Sequence, residues 1–173
     1  HHEGWARRLS HWRDEQVARH ALRLADDPGL ILDLPCGAGR FWPLLAEAPY
    51  RVILAADNSA DMLAVARASQ PADVVARVRS FRTSAFAIDL GANAVDCIFC
   101  IRLLHHIESG EHRLAILREF HRVSRDTLIV SLWVDGPEDA LDVIVQISRC
   151  RRHGEPERTC SVCPAERVCC LAH

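Results

Sequence analysis

Two hydrophobic periods divide this chain. Trp5, Leu9 and Trp12 recur at helical spacing, so residues 5–25 read as one or two helices. Asp26-Asp27-Pro28-Gly29 is a turn. A short apolar run, 30–34, reads as a buried strand, and 39–47 reads as a helix with Pro43 near its first turn. Strand-like and helix-like segments then alternate. Strands fall at 52–56, 74–81, 95–101 and 127–134. Helices fall at 59–69, at a stretch striped by Leu114, Leu117 and Phe120 with Ser109 as its cap, and at 137–149, "PEDALDVIVQISR". This alternation predicts an α/β fold with a mostly parallel sheet flanked by helices.

The pattern stops near residue 149. "RCRRHGEPERTCSVCPAERVCCLAH" has no hydrophobic period, and the closing strands of such a sheet are not evident in it. The chain thus divides into an N-terminal helical cover (1–29), a core (30–148) and a Cys/Arg-rich tail (149–173) that reads as irregular. Cys150-x-x-His153 and Cys160-x-x-Cys163 have the spacing of zinc ligands, but the short span between them lacks the apolar residues a zinc module packs. No metal is expected.

Composition narrows the functions. At 173 residues and 49% hydrophobic, the chain can bury one core. Its net charge of -2 gives no basic field for nucleic acid. Its basic residues are all arginine, as a GC-rich, bacterial genome would encode. No apolar run approaches the ~20 residues of a membrane span, and the charged N-terminus does not resemble a signal peptide. Cys36, Cys97 and Cys100 sit in apolar segments as small core or loop residues, and the expected setting is a reduced cytoplasm.

The first strand ends in the loop "LDLPCGAGR", residues 32–40. Gly37 and Gly39 allow close backbone approach, and a helix N-terminus follows, at the edge where α/β sheets bind ligands. Dinucleotides and S-adenosylmethionine both use this device. A dinucleotide fingerprint needs a third glycine where Trp42 stands, which disfavours a nicotinamide oxidoreductase. Asp57, at the end of "VILAADNS", lies 57 − 37 = 20 positions past Gly37, where a carboxylate reaches ribose hydroxyls of either ligand.

Taken together, "LDLPCGAGR", "DNS" followed by Met62, and "VDCIFCIRLLHHI" resemble three motifs of the class I, Rossmann-like S-adenosylmethionine-dependent methyltransferases, in family order over residues 30–134. The "LHH" loop is similar to that of the small-molecule branch. The resemblance implies S-adenosylmethionine as cofactor. It places Asp33, Pro35, Cys36, Gly37, Ala38, Gly39 and Arg40 around the methionine part, with Asp33 near its amino group. It puts Asp57 on the ribose, Asn58 and Met62 beside the adenine, and Cys100 and Ile101 under the sulfonium. The family often carries an acid after the third strand. Here that stretch is "TSAFAIDL", and Ser84, with Ala85 and Phe86, takes its place, with Asp89 in competition for it.

Methyl transfer from a sulfonium mainly requires alignment, and positioning can supply roughly 7–11 kcal/mol. His105 and His106 are the candidate bases; the alternative is that one packs or caps. Trp5, Trp12 and Arg13 either cover the cofactor or divide between core and solvent. The expected acceptor is a small molecule or a sugar or lipid headgroup. The competing reading is a non-catalytic S-adenosylmethionine-binding protein acting through a protein partner.

Overall fold

The computed structural model describes the backbone of residues 2–134, 141–148 and 168–171, and the side chains of residues 11–132. The tail's Cys150, His153, Cys160 and Cys163 lie outside the described residues, and so does the zinc question. In chain order the elements are α1 (His2–Leu24), β1 (Leu30–Asp33), α2 (Trp42–Leu45), β2 (Val52–Asp57), α3 (Ala60–Ser69), α4 (Ala72–Val75) and β3 (Val78–Arg82). Then come β4 (Val95–Cys100), a 3-10 turn (Leu104–His106), α5 (Gly110–Val123), β5 (Ser124–Val134), β6 (Leu141–Ser148) and β7 (Val168–Leu171).

The strands form one sheet ordered β3-β2-β1-β4-β5-β6-β7. The first five are parallel, and β6 and β7 are each antiparallel to the preceding strand. Alternation along the parallel strands sorts side chains onto two faces. Ile31, Ile53, Cys97, Phe99 and Ile129 pack with Ala18, Ala21 and Leu22 of α1. Leu32, Ile98, Cys100, Leu128 and Val130 pack with Ile116, Phe120 and Val123 of α5. Small residues on α1 let that helix lie close to the sheet. α5 starts at Ser109, whose Oγ accepts from His112 N at 3.3 Å.

Five expectations change. The helix expected over 137–149 is the strand β6, paired with β5 from Val134↔Leu141 to Thr127↔Ser148. β7 lies in the stretch where the sequence pattern placed no strand. The strand expected over 74–81 begins only at Val78, because Pro71 opens the helical turn α4, whose Val74 is buried beside Trp42 and Leu63. The helix expected over 39–47 shrinks to Trp42–Leu45, because Gly37 and Gly39 take φ of 52° and 72° and keep the chain in turns until Phe41. The α5 stripe also turns: Leu114 is exposed, and Ile116, Phe120 and Val123 face the core. Among the described residues no helix is long and apolar enough to cross a membrane.

Candidate functional site

Parallel strands place all their carboxyl ends at one edge, so the loops after β1, β2, β3 and β4 meet there. The loop after β1 is the most constrained. Both of its glycines are left-handed, a conformation that costs other residues about 1–2 kcal/mol. A Cβ on Gly39 would lie 2.8 Å from Trp42 Cδ2 and 3.1 Å from Gln70 Cγ. A Cβ on Gly37 would meet only Met62 Cε, at 3.8 Å. The loop is thus packed tightly behind Gly39 and open in front of Gly37. Gln70, capping α3, donates from Nε2 to Ala38 O at 3.0 Å and fixes the loop from behind. Trp42 is fully buried, so its indole is packing.

Asp57 joins two elements. Its Oδ2 accepts from Gly37 N at 3.0 Å and its Oδ1 from Ser59 N at 2.9 Å. It is not the N-cap of α3; that is Ser59, whose Oγ accepts from Met62 N. One bond per oxygen leaves each with a free lone pair, so the carboxylate can still accept from two hydroxyls.

Asp33, at the end of β1, is 2% exposed, and its Oδ2 has no hydrogen-bond partner. The Trp42 indole Nε1 is also buried without one. Burial pushes the Asp33 carboxyl well above the usual carboxylate range, and the Asp57 charge adds to this. The Trp42 indole pulls the other way without reaching hydrogen-bond geometry. A buried acceptor left open is costly in isolation and is suited to a cationic donor. Cys36, which feels both carboxyls, is no nucleophile: burial pushes its thiol up, and Asp33 and Asp57 push it further. Burial does the same to Cys100.

The other predicted residues belong to the loops at the same edge. Pro35 and Ala38 are half-buried in the glycine loop; Asn58 and Met62 are exposed beside Asp57. After β3, Ser84 Oγ accepts from Phe86 N at 3.2 Å, Ala85 is half-buried, and Phe86 is exposed with its ring edge-on to His112. Asp89 is exposed, and its N–H bonds Thr83 Oγ1. Cys100 and Ile101 are buried at the end of β4. His105 is half-buried and His106 exposed, their ring centroids 4.0 Å apart. Among the described residues, no group of three or more His, Cys, Asp or Glu side chains could hold a metal ion.

Sequence reasoning missed what α1 contributes. Trp12 and Arg13 are both exposed. The neighbouring His11 and Asp14 reach the site instead. Arg40 donates from Nε to His11 Nδ1 at 2.8 Å and from Nη2 to Asp14 Oδ2 at 2.6 Å. Arg102, after β4, donates to the same Asp14 oxygen at 2.8 Å. The His11/Asp14 spacing of three puts both on one helical face, but only the tertiary structure shows what that face meets.

Residues 31–127 match the family model described as a methyltransferase domain. An uncharacterized methyltransferase-like protein of Schizosaccharomyces pombe is 28% identical over 126 residues, covering 73% of this chain and 46% of its own length. The chain therefore spans about half of that relative. An Aquifex aeolicus S-adenosylmethionine-dependent methyltransferase structure aligns with a TM-score of 0.54 at 23% identity, over 64% of this chain and 60% of its own. A Haemonchus contortus phosphoethanolamine N-methyltransferase, solved with phosphoethanolamine and S-adenosylhomocysteine, aligns with a TM-score of 0.54 at 20% identity, over 64% and 23%. At these identities the solved structures establish a shared fold.

Proposed function

This chain belongs to the methyltransferase domain family, and from that premise we propose that it moves a methyl group from S-adenosylmethionine to a small molecule or a sugar or lipid headgroup. The observation that carries this reading is Asp33. A buried carboxyl oxygen with no partner, beside an open glycine loop, fits the ammonium of a methionyl group.

The residues fit the rest of that cofactor. Pro35, Cys36, Gly37, Ala38, Gly39 and Arg40 line the methionyl part, where the space over Gly37 admits it. Asp57 has one remaining acceptor position on each oxygen for the ribose hydroxyls. Asn58, Met62, Ala85 and Phe86 surround the adenine. Ser84 accepts from Phe86 N and keeps its own proton for the base. Cys100 and Ile101 form the apolar floor below the sulfonium.

When bound, S-adenosylmethionine supplies a methyl group already activated by the sulfonium charge. The protein's work is alignment and exclusion of water. In this reading His105 or His106, on the turn after β4, takes the acceptor's proton as the new bond forms. The reading places the protein in the cytoplasm with no nucleic-acid partner.

Calorimetric titration with S-adenosylmethionine and S-adenosylhomocysteine tests the reading, with Asp33→Asn as the control. Saturable binding that the variant loses supports it. A folded wild-type protein that binds neither ligand sinks it.

A further inference from the structure

We propose that Arg40 and Arg102 form a carboxylate-binding pair, occupied by Asp14 of α1 as an internal competitor, and that a ligand carboxylate exchanges with it. The inference rests on the methyltransferase reading and deepens it.

The two arginines come from different strands. Arg40 follows Gly39 in the loop after β1, and Arg102 follows β4, the neighbouring strand. Both donate to one oxygen, Asp14 Oδ2, at 2.6 and 2.8 Å. Two guanidinium cations converging on one point repel unless an anion lies between them. The site is built for that anion. Arg102 holds a left-handed φ of 61°, which a non-glycine residue adopts only when its surroundings enforce it. Its N–H donates to Ser131 Oγ of β5 at 2.7 Å, and this fixes the turn. Arg40 Nε is fixed by His11 Nδ1.

The pair is also reachable. The Arg40 and Arg102 side chains are 30% and 43% exposed, whereas Asp14 is 14% exposed. The carboxylate is the more buried partner, and both arginines belong to loops at the carboxyl edge of β1 and β4. Exchange of one carboxylate for another conserves the charge between the guanidiniums. It also removes the Asp14 contact of α1 with both loops, leaving His11 on Arg40. Two ligands could bring the carboxylate: the methionyl group of the cofactor, or an acidic methyl acceptor.

The test is Asp14→Asn, which keeps the shape and removes the charge. A helix fastener and a competitor then give opposite signs. If Asp14 competes, the variant binds a carboxylate ligand more tightly, by about tenfold, the usual worth of a charge-assisted hydrogen bond. S-adenosylhomocysteine is compared with 5′-methylthioadenosine, which lacks the amino-acid end. A gain for the first alone assigns the pair to the cofactor carboxylate. Benzoate is compared with benzamide on protein saturated with S-adenosylhomocysteine. A gain for benzoate alone assigns it to an acidic acceptor. Arg102→Ala gives a second, independent reading: it weakens the carboxylate ligand by about tenfold and leaves the neutral one unchanged.

Equal weakening of charged and neutral ligands by Asp14→Asn would show a fastener only and overturn the proposal. So would no discrimination in either variant. If wild type and variants bind neither adenosyl compound, the methyltransferase reading has failed on its own. Benzoate against benzamide on the ligand-free Asp14→Asn protein then still decides the arginine pair.

Discussion

β1 and β4 carry a carboxyl group at each end of their shared pairing, and the two are treated differently. At the amino edge, Asp96 Oδ2 accepts from Leu30 N at 2.9 Å and Oδ1 faces Arg125 Nη1 at 3.5 Å. At the carboxyl edge, Asp33 is buried with Oδ2 unpartnered. One edge is closed and the other is left open. The amino edge even holds a cavity of about 180 Å³, lined by Asp26, Asp27, Pro28, Gly29, Asp96 and Asp126. Unmet hydrogen-bonding capacity points to the other edge, because a fold keeps a costly buried acceptor open where a ligand repays it.

The largest effect expected from breaking this contrast is that of Asp33→Asn. The amide oxygen can still accept a hydrogen bond but carries no charge to pair with an ammonium, so affinity for S-adenosylhomocysteine should fall by about 100-fold, measured by calorimetry. Stability should move the other way. The folded pKa of Asp33 is raised above its unfolded value of 3.8. Folded protein therefore holds a proton that unfolded protein has lost, and wild-type stability falls as pH rises from about 4 through the folded pKa. The variant lacks that slope. Denaturant unfolding at pH 4.5 and pH 8 should find the variant gaining on wild type as pH rises, so that the difference between them is more favourable to the variant at pH 8 than at pH 4.5. Loss of both binding and stability would mean that Asp33 is a structural acid after all.

The glycine loop makes the next contrast, with effects of intermediate size. Gly39→Ala adds a left-handed Cβ against the fully buried Trp42, and should cost about 2–4 kcal/mol in unfolding free energy. Gly37→Ala pays the backbone term alone, about 1 kcal/mol, because its Cβ has room. Equal costs would show that the loop is not closed behind and open in front.

How far these features were legible depends on their range. Strand, glycine loop and Asp57 are local patterns, and the sequence carried them at the correct spacing. The helix expected over 137–149 failed because Leu141, Ile144 and Ile147 keep a helical spacing while Leu141, Val143, Val145 and Ile147 keep a strand spacing. A short apolar run supports both, and pairing with β5 decides. Val74 and Val75 misled in the same way until Pro71 is seen to open a helical turn. The Asp14–Arg40–Arg102 cluster was out of reach for another reason. Its members are 26 and 88 positions apart, and one depends on a left-handed arginine that no composition rule predicts.

The smallest effects belong to the closed edge, and they separate its two bonds. Asp96→Ala leaves Leu30 N without its acceptor and should cost about 1–3 kcal/mol in denaturant unfolding, with binding of S-adenosylhomocysteine unchanged. Arg125→Ala removes only the outer partner. Its side chain is 53% exposed and 3.5 Å from Asp96, a geometry in which solvent and salt screen most of the attraction. The expected cost is about 0.5 kcal/mol or less, and it should vanish in 1 M salt. Were Arg125→Ala to cost as much as Asp96→Ala, the ion pair would be closing this edge. Were it to cost nothing at any salt, the Leu30 N–H alone would be enough to close it. The Leu30 N–H, with the solvent that reaches a side chain 27% exposed, would then be what satisfies Asp96, whereas Asp33 is 2% exposed and its Oδ2 has no partner.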